Sequence, residues 1–341
     1  MFMRRLKTAA AATAVLALAG TAATTASAQD ARDYLLATAS TGGTYYPVGV
    51  ALSTLIKVKL QPKQKINVSA ISSAGSGENV KLLRENEVQF AILQGLFGSY
   101  AAKGTGPIAS AGPQKNLRSI SMLWSNVEHF VMPTSDAKTG TIDDFIALKG
   151  KKVSMGAKNS GTIGSNKTIM GNLGVDIETH YDLAYMGYGP SAEALQNGTI
   201  VGASMPAGVP VGGVTQAFAA LGDKIKLLSF TPDQVKKADG GLDLWTPVKV
   251  PAGTYPGQDY DVTTIAQPNF LAVRDDVPDD VVYQITKTMY ENLAFLNGIH
   301  AATKAMSPEM ATAGLPLPLH PGALKYYKEA GIAVPERLMM K

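Results

Sequence analysis

The chain has 341 residues, with 31 lysines and arginines against 27 aspartates and glutamates, 34 glycines and no cysteine. The absent thiol excludes disulfides, thiolate catalysis, cysteine-ligated metals and lipidation through an N-terminal cysteine. The length and an ordinary apolar content of 45% describe about two globular domains.

The chain opens with Arg4, Arg5 and Lys7, an apolar run from Ala9 to Gly20, and the small-x-small triplet Ala26-Ser27-Ala28. This order reads as a secretory signal peptide over 1–28, cleaved after Ala28. Its apolar run is shorter than the roughly 20 residues of a spanning helix. Losing that leader takes away three cations and no anion, so the formal charge falls from +4 to +1. A nearly neutral chain offers neither nucleic acid nor an acidic membrane an electrostatic reason to bind. An exported protein without a lipid anchor stays near its cell only behind an outer membrane, so the expected location is the periplasm.

YLLATAS (Tyr34–Ser40) is a short apolar run and reads as a buried strand. Thr44 follows as a candidate N-cap, with Pro47 in the first turn and Val48, Ala51, Leu52, Leu55 and Ile56 at helical spacing. The order recurs at Lys151–Gly174, where a short strand candidate precedes Ser160-Gly161-Thr162 and a helical pattern stopped by Gly174. A second echo joins LLRENEVQFAI (Leu83, Val88, Ala91) to ALQNGTIVGAS (Leu195, Ile200, Ala203). In both, a helix end, a turn and a strand keep the same offsets. The pattern predicts two related α/β lobes with mostly parallel sheets flanked by helices.

Ser125–Asp136 and Thr263–Val273 read as two crossings between the lobes, which makes the first lobe discontinuous. The expected division is 29–130 with 268–341 for lobe I and 131–267 for lobe II. Pro247–Asp259 is rich in proline and glycine and reads as a long loop, and Pro278–Leu296 as one amphipathic helix.

Several chemistries fail on inspection. There is no G-x-S-x-G elbow, and GAKNSGT from Gly156 has Thr162 where a phosphate-binding loop needs lysine. GTGPIA and GYGPSA imitate a dinucleotide fingerprint without its strand or its later acid. The four histidines, His129, His180, His300 and His320, have no companions at metal spacing, and Glu128 and His129 point apart if extended. The pairs Asp143-Asp144, Asp275-Asp276 and Asp279-Asp280 sit at apparent helix starts, where negative charge complements the dipole. Neither a cofactor nor a metal is expected. What remains is a pair of helix entrances, Gly43-Thr44 and Gly161-Thr162. Such ends hold a carboxylate or phosphate through free N–H groups and small hydroxyls, with glycine allowing close approach.

The strings GGTYYPVG, ISSAGSGENVKLLRENEVQFAILQ, NSGT, AGVP, PAGTYPGQD and LPLPLHPGALKYYKEAG together resemble the TAXI family. Its members are the extracytoplasmic solute-binding proteins of TRAP transporters. The resemblance covers essentially the whole chain after the leader. It implies a two-lobed periplasmic binding protein of type II, expected to act as a monomer, that captures a small carboxylate such as glutamate or 2-oxoglutarate and delivers it to a TRAP permease. The ligand contacts it implies are Thr41, Gly43, Thr44, Tyr45, Ser73 and Gln94 in lobe I, and Ser160, Gly161, Thr162, Ala207 and Gly208 in lobe II.

Ala39 replaces a frequent glycine, Lys158-Asn159 replaces Pro-Gly, and Asn126 stands where a glutamate is common. Loss of a carboxylate at 126 would favour a keto or hydroxy acid over an amino acid. A periplasmic sensor module, or an enzyme on the same fold, are the alternative readings.

Overall fold

The structure, a computed structural model, describes residues 31–339; the expected signal peptide lies outside them. Strand β1 (Arg32–Ala37) leads through Ser40–Gly43 into helix α1 (Tyr45–Gln64), followed by β2 (Ile66–Ile71), α2 (Ser76–Arg84), β3 (Phe90–Gln94), α3 (Gly95–Lys103), β4 (Leu117–Val127) and β5 (Phe130–Pro133). Then come α4 (Ile142–Ile146), β6 (Lys152–Val153), α5 (Gly161–Asn172), α6 (Ile177–His180), β7 (Asp182–Leu183), α7 (Tyr188–Gln196), β8 (Ala203–Ser204) and α8 (Gly212–Leu221). The chain closes with β9 (Ile225–Leu227), α9 (Pro232–Asp239), β10 (Thr246–Val250), β11 (Val262–Arg274), α10 (Asp279–Glu291), α11 (Leu293–Ile299) and α12 (Pro321–Glu329).

The main sheet has the order β10-β11-β3-β1-β2, with β4 also paired to β11. Only β1, β2 and β3 run parallel in it; β11 is antiparallel to β3, β4 and β10. A three-stranded antiparallel sheet, β8-β5-β9, and a parallel β6-β7 pair complete the strands. The architecture is therefore α/β with a mixed sheet, where mostly parallel pairing was expected. The reason is β11, which returns from the far half and lies against β4 and β3 in the opposite sense. An apolar run marks a strand but carries no sign of its direction.

The predicted face of α1 is the buried one: Val48, Ala51, Leu52, Leu55 and Ile56 all lie in the core beneath the sheet. Ile66, Val68, Phe90, Ile92, Phe270 and Ile285 join the same core, while Val127, Tyr188, Ala203 and Phe218 belong to a second cluster. Two local readings change. Thr246–Val250 forms an edge strand, so the loop starts only at Pro251; an edge tolerates Pro247 because one side of its backbone has no partner. The expected long helix is broken at Asn292 (φ −129°, ψ 30°), whose Nδ2 donates to the Thr288 carbonyl at 2.8 Å. Thr263–Val273 is one continuous strand. Its Pro268 falls between Ala266, the last partner of β10, and Asn269, the first partner of β3, so no ladder bond on that side is lost.

The two stretches expected to be crossings run side by side. Glu128 N donates to the Ile265 carbonyl at 2.9 Å, and Thr264 Oγ1 donates to the Glu128 carbonyl at 2.8 Å. Both Glu128 and His129 are fully buried there.

Candidate ligand-binding site

Four helices begin at one cavity. Gly43, Thr44 and Tyr45 reach it from α1, Gly75 and Ser76 from α2, Ser160, Gly161 and Thr162 from α5, and Gly187 and Tyr188 from α7. Its volume is about 170 Å³. A dry engineered cavity of roughly 150 Å³ takes up benzene, so this space suits a ligand of a few more atoms at most. Each helix start carries roughly half a positive charge from its aligned peptides, and its first N–H groups have no intrahelical acceptor. Among the described residues, the amides of Tyr45, Ser76, Gly161, Thr162 and Tyr188 meet no acceptor.

Of the eleven ligand contacts expected from the sequence, nine line the cavity: Gly43, Thr44, Tyr45, Ser73, Gln94, Ser160, Gly161, Thr162 and Ala207. Thr41 and Gly208 are outside the wall. Thr41 is exposed in the turn before α1, and Gly208 contributes only its carbonyl, to Thr44. The residues that sequence reasoning missed are Ser76 and Tyr188 above all. Each opens a helix that follows a glycine, Gly75 or Gly187, the same signal that marked Gly43 and Gly161.

The hydroxyls do less of the donating than their residue types suggest. Ser160 is a true N-cap, its Oγ accepting from Ile163 N at 3.1 Å. Thr44 occupies the N-cap position without a side-chain cap bond. Its Oγ1 instead donates to the Gly208 carbonyl at 2.9 Å, and lies 3.4 Å from His300 Nε2. Tyr188 Oη donates to the Pro206 carbonyl at 2.6 Å, so the Thr162 hydroxyl, 2.7 Å away, donates to the Tyr188 oxygen. Ser73 Oγ lies 2.6 Å from Asn79 Oδ1 and 3.0 Å from the Thr38 carbonyl, two acceptors for its single proton. The hydroxyls thus brace the walls, and the backbone amides are left to meet a ligand.

Among the side chains, Gln94 keeps an Nε2 with no acceptor among the described residues while its Oε1 accepts from Ser165 Oγ at 3.2 Å, and the other exception is Asn126. It lines the cavity, is 1% exposed, and its Nδ2 has no partner. Tyr45 Oη donates to Asn269 Oδ1 at 2.5 Å, and Asn269 Nδ2 points to Asn126 Oδ1 at 3.4 Å. This relay engages the amide oxygen of Asn126 and leaves its NH₂ as the free group. A buried donor without an acceptor costs about 1–3 kcal/mol, which a ligand oxygen would recover.

No charged side chain is in the wall. Tyr45 and Tyr188, its only titratable groups, are both held protonated by burial, their pKa values pushed far above the ordinary range. Lys158 stands outside, with its Nζ 5.1 Å from the centre of the Tyr185 ring. Burial raises the Glu128 carboxyl to a pKa of about 8, against the lowering pull of Trp245 and Gln267; Trp245 Nε1 donates to its Oε1 at 3.4 Å. Burial lowers His129 to about 4, its ring held between the Val127 carbonyl (2.8 Å) and Tyr255 Oη (2.7 Å). Among the described residues no cluster of three or more His, Asp or Glu could hold a metal, and no helix is long and apolar enough to cross a membrane.

A cavity walled by helix starts in a mixed α/β chain is the arrangement of the two-lobed solute-binding proteins, and this is the fold of the protein. The chain belongs to the NMT1-like family, whose profile matches residues 36–331. Among solved structures it is similar to MatC from Rhodopseudomonas palustris with bound malate, at 13% identity and a TM-score of 0.54, over 87% of this chain and 97% of that one. A protein from Bordetella bronchiseptica RB50 is similar at 12% identity and a TM-score of 0.51, covering 89% and 85% of the two chains. The alkanesulfonate-binding protein SsuA from Xanthomonas axonopodis pv. citri, bound to MOPS, matches at 12% identity and a TM-score of 0.46, with 91% and 94% covered. The likenesses to MatC and to the Bordetella protein concern the fold.

Proposed function

We propose that this chain is an extracytoplasmic solute-binding protein of the TAXI type. In this reading it closes its two lobes, 29–130 with 268–341 and 131–267, around a small organic acid in the periplasm and delivers it to a TRAP permease. The observation that carries the reading is the cavity wall: four helix starts, unpaired amides and no charged side chain. Oriented N–H groups and dipoles stabilise a carboxylate without a counter-charge. The malate in MatC, on a similar fold, supports a small acid as the ligand class.

Asn126 narrows the choice. With its oxygen engaged by Asn269, it offers donors only, so a keto or hydroxy oxygen fits beside it and an ammonium group does not. A 2-oxo acid is accordingly preferred over its amino acid. Catalysis is not part of the reading, because no nucleophile and base converge on the cavity among the described residues. Native mass spectrometry of freshly purified protein tests the proposal: a co-purified small acid, recovered unchanged after long incubation, is expected. Turnover of that acid would move the reading to an enzyme, and co-purification of a cation would refute it.

A further inference from the structure

The loops that precede α1 and α5, two of the four helices that open at the cavity, also reach across it, each to a helix on the opposite side. The carbonyl of Asn159, just before α5, accepts from Glu78 N in the first turn of α2 at 2.9 Å. The carbonyl of Gly42, just before α1, accepts from Gly213 N in the first turn of α8 at 3.0 Å. In each case an orphan donor at a helix start receives its acceptor from the opposing half of the molecule. The exchange is reciprocal, and each cap lies one or two residues from a Gly-Thr pair.

Glycines make this approach feasible. A Cβ on Gly77 would press into the Asn159 carbonyl, and one on Gly42 would lie 2.8 Å from Gly189 N and 3.2 Å from Tyr188 Cβ. Neither glycine has a positive φ, so any residue could adopt its backbone; the requirement is clearance from the opposing main chain. Asn159 itself is left-handed, with φ of 61°, an angle asparagine adopts more readily than most residues, and this sets its carbonyl toward α2.

We infer that Gly42 and Gly77 are positioning residues for closure, and that the reciprocal caps sustain a closed population before any ligand arrives. The inference rests on the two-lobed binding reading but not on the identity of the solute. A bond made only in the closed arrangement shifts the equilibrium by its own strength. A net hydrogen bond corresponds to about a fivefold change in the closed-to-open ratio. The loops that present the amides of α1 and α5 are thereby placed by contacts that the ligand never touches.

The chain has no cysteine, so Lys57→Cys and Lys236→Cys, both at exposed positions, take spin labels without background. Distances measured by double electron–electron resonance on ligand-free protein should show a short-distance population. Gly77→Ala and Gly42→Ala should each reduce it about fivefold or more, with the urea midpoint of unfolding unchanged. Each should weaken the affinity for the bound acid by a similar factor. Wild-type protein lacking the short distance, or variants with wild-type distance distributions, would overturn the inference. If no small acid binds at all, the binding proposal fails, while the ligand-free distances still decide whether the caps act.

Discussion

Replacing Asn126 by aspartate keeps the shape of the side chain and inverts what it offers the cavity. Asn269 Nδ2 can still donate to the retained oxygen, so the relay from Tyr45 survives. The free NH₂ is gone, and an acceptor or negative charge stands in its place. A hydrogen bond to a charged ligand is worth about 1.5–3 kcal/mol, and its loss alone weakens a 2-oxo acid roughly 10- to 150-fold. Repulsion acts in the same direction: two like charges about 4 Å apart at an effective dielectric of about 20 cost up to about 4 kcal/mol. The tenfold figure is therefore a lower bound. An ammonium group meets the opposite change, so the preference for the oxo acid over its amino acid should narrow or reverse. Isothermal titration calorimetry of both variants with both ligands measures the ratio directly. An unchanged oxo-to-amino ratio in Asn126→Asp would refute the placing of Asn126 against the ligand.

Thr44→Val removes the hydroxyl that donates to the buried Gly208 carbonyl, and Thr162→Val leaves Tyr188 without its donor. Each should weaken calorimetric affinity about 5- to 150-fold, with the fold retained; unchanged affinity in both would place the site elsewhere. The pH dependence of stability should carry the mark of Glu128 and His129. Glu128 is raised from 4.5 to about 8, so its contribution falls away as pH rises through that range; His129 is lowered from 6.5 to about 4, so its contribution falls away as pH drops from 6.5. The two slopes oppose each other between pH 4.5 and 6.5, and from 6.5 to 8 Glu128 acts alone, with a loss of about 2 kcal/mol. Urea unfolding at pH 6.5 and 8 should show this loss, and Glu128→Gln should abolish it; the same slope in the variant would assign it to other groups.

The helical face of α1 was legible because apolar spacing is a local property; Ser160 was not read as a cap, although its partner Ile163 lies only three residues on. Thr44 looks the same in sequence, yet its hydroxyl turns to a carbonyl 164 residues away. Nothing local distinguishes the two. Ser76 and Tyr188 stood in plain view, but Tyr188 lay in a string tested only against a dinucleotide fingerprint. Two helix entrances were recognised where the fold brings four. Antiparallel pairing of β11 was illegible for a related reason: strand direction depends on where the chain has come from, and the run TTIAQPNFLAV reads the same either way.

The central claim, a carboxylate held by backbone amides and helix dipoles, is tested most directly by comparing an acid with its primary amide. The two match in size and shape, and only one carries the charge. Calorimetric titration at low and moderate salt with a panel of small acids should yield one saturating ligand at a stoichiometry of about one. Its matched amide should bind roughly 10- to 150-fold more weakly, because charge-assisted bonds are replaced by neutral ones. Equal affinity for the acid and the amide would contradict the account.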